Sequence, residues 1–581
     1  MVINKRKRFC LVLVVSFIFI LTALTSIFAS AKGPKKTSDT GFVKYLGSYS
    51  TGEHDEDGGV AEIVKYNADN KKMYIVSGKL QAVDIVSLKD VKSSKENKFT
   101  IEKRINISDI GANHNIDVGD ITSVAVNTKK DLIAISVQAS DYRAKGSIVL
   151  LDYDGNYIAH TKTGVQPDMI TFTEDGEYVL TADEGEPREG YVSPAEDPKG
   201  SVTVAKLKNK GFENTKTILF DEFDSKRAQL IADKVLIKKD SAPSADFEPE
   251  YIATSSDSKT AYVSLQEANA IATLDIVNGK WTSIKGLGFK DHSKSENALD
   301  LNKDGKIKIQ PENVFGIYLP DGIATINIGK KQYILTANEG DAREWGKKPN
   351  KYTDIGSKKI NGSNKKVEYK LTSEYDGLED SKTYILGGRS FSILDASTMK
   401  QIYDSGKDFE TITARVFPEN FNANHKKADI DGRSNKKGPE PEDVQTLIVD
   451  DKIYAVIGLE RIGGAMFYDI TNPNKPIYKD YINIRDFSTN ELGAGSDLGA
   501  EGICTIEASL SPTGKPIILV ANEVSGTVTV LEISDYIPKP NSKNNNKEKD
   551  NPKTGIESFI PFYFIGLLGL LVVSKIKKAI K

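Results

Sequence analysis

Between residues 41 and 536, short Val-, Ile-, Tyr- and Thr-rich runs are separated by clusters of Asn, Asp, Gly and Lys. Such runs, bounded by turn formers, predict β-strands rather than helices. The pattern is also self-similar. PDMITFTEDGEYVLTADEGEPR (167–188) returns as PDGIATINIGKKQYILTANEGDAR (320–343) and as PEDVQTLIVDDKIYAVIGLER (441–461). Seven hairpins of this kind can be read, with first strands opening at Glu62, Asp120, Asp168, Glu250, Asp321, Glu442 and Glu501. Their second strands are MYIVSG, LIAISVQ, YVLTADE, AYVSLQE, YILTANE, IYAVIGLE and IILVANE. Short third strands follow, such as VDIVSL, SVTVAKL, FSILDA and TVTVLEI.

Units of three or four short strands cannot cover both faces alone, so they stack around an axis. The expectation is an all-β chain forming a single β-propeller of seven four-stranded blades. The uneven spacing also fits six or eight. The last unit has three evident strands, and FVKYLGSY (42–49) would complete it from the N-terminal side. Insertions at 184–200, 281–318 and 344–380 are expected as loops on the faces.

Hairpin geometry gives the acids a place. Residues equidistant from a turn lie opposite each other. The pairs Asp168/Glu184, Glu250/Glu267, Asp321/Glu339, Glu442/Glu460 and Glu501/Glu523 all centre inside their turns. With Glu62 and Asp120, whose second strands end on Gly78 and Gln138, they make twelve carboxylates expected around one mouth of the channel. Such crowding must be compensated. Either the carboxylates hold a cation or cationic ligand, or they form a structural belt with arginines such as Arg188, Arg343 and Arg461. Arg188, Arg343 and Arg433 are also candidates for an anion clamp.

The 581 residues carry a net charge of −3, which gives no nucleic-acid footprint. The ends are more telling. MVINKRKR, an apolar run and Ala29-Ser30-Ala31 predict a signal peptide over 1–31, with a retained anchor as the alternative. Residues 41–536 form the propeller and 537–550 a polar linker that spans the wall. NPKTG followed by an apolar stretch and a basic tail (551–581) resembles a Gram-positive cell-wall sorting signal. A sortase would cut between Thr554 and Gly555 and join the chain to peptidoglycan. The membrane is then met only in transit, and the protein is exported and covalently attached to the wall. An ordinary tail anchor is the alternative. Cys504 is the single cysteine beyond the leader, so no intramolecular disulfide forms.

DLNKDGKI (300–307) places Asp300, Asn302, Asp304 and Lys306 at ligand spacing for a Ca²⁺ loop, with Glu312 just beyond the twelfth position. The alternative is an Asp/Asn-rich turn. G-x-S-x-G, H-E-x-x-H and cysteine motifs are missing, and five histidines lie scattered without zinc spacing. An enzyme built from these residues would use metal-assisted hydrolysis, with carboxylates holding the ion and arginines gripping an anion.

TANEGDAREW, LGGRSFSILDA, KGPEPEDV, GLERIGGAMFYDITNP and LGAEGI…SPTGKPIILVANEVSGTVTVLEI resemble the choice-of-anchor I family. The resemblance spans the folded part and implies an exported propeller carried by differing surface-attachment signals. Some relatives are labelled alkaline phosphatase-like or phytase-like, and the family brings no catalytic residues to assign. The expected function is a surface module for an extracellular ligand, with Ca²⁺ as a structural ion. The alternative is a Ca²⁺-dependent phosphoesterase.

Overall fold

The computed structural model describes residues 37–534 and 536–537, except 361, 362, 491 and 494. The leader at 1–31, the sorting signal at 551–581 and nearly all of the 537–550 linker lie outside the described residues. The described part is all-β, and seven antiparallel sheets of four or five strands carry it.

The inner strands of these sheets are Val64–Asn67, Asp120–Asn127, Pro167–Phe172, Pro249–Thr254, Ile323–Ile328, Pro441–Val449 and Ala500–Ile506. Each packs against the next in chain order, and Ala500–Ile506 packs back against Val64–Asn67. Proline opens three of them, the one position where a missing N–H costs the ladder nothing. The last sheet receives Val43–Ser50 as its outer strand, paired antiparallel with Thr527–Ile533. Thr37–Ser38 adds a fifth strand to the sixth sheet beside Ile477–Asn483.

The middle strands are buried on both faces, which explains their near-continuous apolar character. Leu132–Gln138 and Ile517–Asn522 are buried throughout. The core therefore lies between neighbouring sheets. Leu46, Met73, Ile75, Leu519 and Val530 form one layer between the last and the first, and Phe391, Ile457, Met466 and Tyr468 another between the fifth and sixth.

Two expectations change. Residues 280–286 form the outer strand of the fourth sheet instead of opening an insertion. The rest of 281–318 and the 344–380 insertion fold partly into small sheets, while 184–200 carries no strand: Phe315–Ile317 joins Phe289–Asp291 and Tyr384–Leu386, and Ile355–Lys358 pairs with Val367–Lys370. A helix at Asp408–Val416 was not foreseen.

Candidate functional site

A recurring irregularity builds the mouth. In the second, third, fourth, sixth and seventh sheets the register of the inner strand slips near its start, as at Pro167/Ile170, Pro249/Ile252, Pro441/Val444 and Ala500/Ile503. A β-bulge there lets consecutive residues face the same side, which regular alternation forbids. Asp168 with Met169, Glu250 with Tyr251, Glu442 with Asp443 and Glu501 with Gly502 accordingly all line one cavity of about 540 Å³. The second strands deliver their acids one residue past the strand end, at Glu184, Glu339, Glu460 and Glu523. The acids are thus gathered without being direct cross-strand partners: Pro167 opposes Asp183, and Pro441 opposes Leu459.

Nine of the twelve expected acids line this cavity: Asp168, Glu184, Glu250, Asp321, Glu339, Glu442, Glu460, Glu501 and Glu523. Glu62, Asp120 and Glu267 are not in its wall, although the charges of Asp168, Asp120 and Glu523 act on Glu62. Two triplets are tight. The carboxylate oxygens of Glu339, Glu442 and Glu460 lie within 4.8 Å of one another, as do those of Asp321, Glu442 and Glu501. Glu442 belongs to both, and its buried Oε2 has no hydrogen-bond partner among the described residues.

The electrostatics follow from that crowding. Burial and like-charged neighbours push Glu184, Glu250, Glu442 and Glu501 well above the usual carboxylate range. Burial raises Asp321 to about 8 and Glu339, Glu460 and Glu523 to about 7. Asp168 is raised by burial to about 6. Cations on one side oppose this. Lys437 contacts Glu339 and lies 3.0 Å from Asp341, and Arg461 lies 2.9 Å from Glu460. Against the effect of burial, Arg433, Arg461 and Lys437 hold the fully buried Glu440 well below its ordinary value. His425 accepts from Arg461 Nη1 at 2.6 Å, and burial together with that guanidinium lowers its pKa to about 3.

The three candidate clamp arginines are all engaged. Arg343 is completely buried, with Nε donating to Glu248 at 3.0 Å and Nη1 to Asp246 at 2.9 Å, away from the cavity wall. Arg433 grips Glu440 through two hydrogen bonds of 2.6 and 2.9 Å. Arg188 binds Glu186 at 3.0 Å and Gln138 at 2.9 Å. In the 300–312 loop the carboxylate of Asp300 accepts backbone N–H groups from Asn302 and Lys308. Asp304 accepts from Lys306 N–H at 3.1 Å, Asn302 Oδ1 from Asn364 N–H at 3.3 Å and Glu312 from the Gln310 amide at 2.6 Å. Both acidic triplets found among the described residues are at the mouth, not in this loop.

Sequence reasoning missed Lys437, His425, Gln266 and Tyr251 as lining residues. Lys437 carried a legible signal, standing in KKGPEPE just before an acid already assigned to the mouth.

Comparison with known proteins adds the family. Gigasin-3a of Magallana gigas is 30% identical over 192 residues, 30% of this chain and 66% of that protein's length. Hydrazine synthase of Kuenenia stuttgartiensis superposes with a TM-score of 0.42 at 13% identity, covering 83% of this chain and 98% of its own. Virginiamycin B lyase from Staphylococcus aureus gives 0.39 at 11% identity, covering 85% and 100%. The model of the choice-of-anchor I domain matches residues 62–473, and with that span the chain belongs to the choice-of-anchor I family.

Proposed function

We propose that the protein is a seven-bladed β-propeller, closed by its N-terminal strand, that is displayed on the cell surface and captures a divalent cation or cationic group in its acidic central cavity. A surface or extracellular setting agrees with its family, and the NPKTG segment adds sortase-mediated attachment to peptidoglycan of a Gram-positive wall as part of the same reading. One observation carries the ligand: the orphaned Oε2 of Glu442, set in two carboxylate triplets drawn from three neighbouring sheets. Carboxylates held this close stay ionised only when a cation shares them. The Asp300 loop supplies the second, structural place for Ca²⁺.

The test is thermal unfolding of the full chain with Ca²⁺ against chelator. A ligand at 100 times its Kd stabilises by about 2.7 kcal/mol. Glu442→Gln should abolish most of the gain and Asp300→Asn a separate, additive part. No stabilisation by Ca²⁺, Mg²⁺ or a polyamine would end the proposal. A generic phosphomonoester serves as the enzymatic arm, and no turnover is expected, because Arg188, Arg343 and Arg433 already hold carboxylates.

A further inference from the structure

Outside the mouth, the insertion between the fifth sheet's second and third strands buries a pair of opposite charges with unusual completeness. Lys370 and Asp354 are both 0% exposed, and Nζ lies 2.5 Å from Oδ2. The backbone fixes the pair at the open end of one hairpin. Lys370 is the cross-strand partner of Ile355, and the Leu371 N–H donates to the Asp354 carbonyl at 2.9 Å. Lys370 Nζ sits 4.5 Å from the centre of the Tyr375 ring, and the Tyr375 hydroxyl donates to Asp354 Oδ2 at 2.6 Å.

The polar inventory does not balance for a simple ion pair. Neither Lys370 Nζ nor Asp354 Oδ1 has a hydrogen-bond partner among the described residues. An ammonium brings three donors and a carboxylate two acceptor oxygens, and burying them unmatched is costly. A secondary amide would need one donor and one acceptor and would carry no charge.

We propose that Lys370 and Asp354 condense into an intramolecular isopeptide bond once the hairpin has folded. Transfer of one proton from Nζ to the carboxylate turns the ion pair into a neutral amine and a neutral carboxylic acid. The Nζ lone pair attacks Cγ, so that a C–N bond forms and one C–O bond breaks. The departing hydroxyl takes a proton from Nζ and leaves as water. No oxidant or cofactor is consumed. The Tyr375 hydroxyl polarises the carboxyl by its hydrogen bond, and exclusion of solvent opposes the reverse hydrolysis. The product staples the hairpin that follows the mouth residues Glu339 and Asp341.

Mass spectrometry of the wild-type full chain decides the matter. The expected result is an intact mass one water below the sequence, no tryptic cleavage after Lys370, and a branched peptide joining the segments that contain residues 354 and 370. Lys370→Arg and Asp354→Ala should each restore the sequence mass. A wild-type chain at its full sequence mass, with tryptic cleavage after Lys370, overturns the proposal. That measurement needs neither variant to fold.

Discussion

Gly58 shows how narrowly the mouth is fitted at the residue scale. Its φ is +92°, and a Cβ placed there would lie 1.9 Å from Glu523 Oε2. The neighbouring Gly59 N–H donates to the same oxygen at 3.2 Å. Gly58→Ala should therefore cost about 1–2 kcal/mol through backbone strain alone and push the Glu523 carboxyl off its donor. Urea unfolding would read the first effect and cation titration the second. A variant as stable as wild type would show that the loop simply relaxes. The acids themselves were legible, because strand-end Asp and Glu recur with the repeat. Their fine placement was not. A bulge adds one residue without any sequence mark, so Tyr251 and Met169 looked like ordinary strand residues rather than lining groups. Arg343 looked free for a ligand because its partners, Asp246 and Glu248, come from a different part of the chain.

At the scale of elements, the helix Asp408–Val416 is the instructive omission. Phe409, Ile412, Thr413 and Val416 stand at helical spacing, and the first three are buried. The strand pattern on either side hid a signal that a period of 3.6 would have shown. Phe391 of the fifth sheet ties this helix to the sixth: its ring lies 6.2 Å from Phe409 and 4.9 Å from Tyr468. Phe391→Ala should destabilise the domain by about 3–5 kcal/mol, because the void opens between elements that cannot collapse together. Equilibrium urea denaturation checks this, and a loss below about 1 kcal/mol would mean the contact is dispensable. The same helix supplies Glu410, which holds Arg389 and accepts the Asp300 N–H at 2.8 Å, so the element also braces the 300–312 loop.

For the molecule as a whole, the raised carboxyl pKa values reverse the usual effect of acid. Asp321 at about 8, and Glu339, Glu460 and Glu523 at about 7, keep protons that an unfolded chain has already released. Unfolded carboxyls titrate near about 4.3. The folded state therefore binds more protons between those limits, so this contribution to stability is complete below the unfolded pKa and is lost as pH climbs through about 7 to 8. Cation-free protein should melt at a higher temperature at pH 5 than at pH 8, and saturating Ca²⁺ should narrow the gap. Calorimetry with and without chelator would show it, and a melting temperature that rises with pH would contradict the crowding described here. The all-β class and the repeated hairpins were readable because each sheet repeats one local grammar. The order of the insertions was not, since their pairings join distant segments such as Phe315–Ile317 and Tyr384–Leu386.

The strand Val43–Ser50 lies within the first stretch of described chain and pairs with Thr527–Ile533 near the other end. This early strand must wait, without its partner, for nearly the whole domain to be synthesised before Thr527–Ile533 exists. Premature termination or proteolytic clipping anywhere before residue 527 would leave that strand without its seat. Quality control thus comes built in, because only a chain carried through to Ile533 gives that early strand its whole partner.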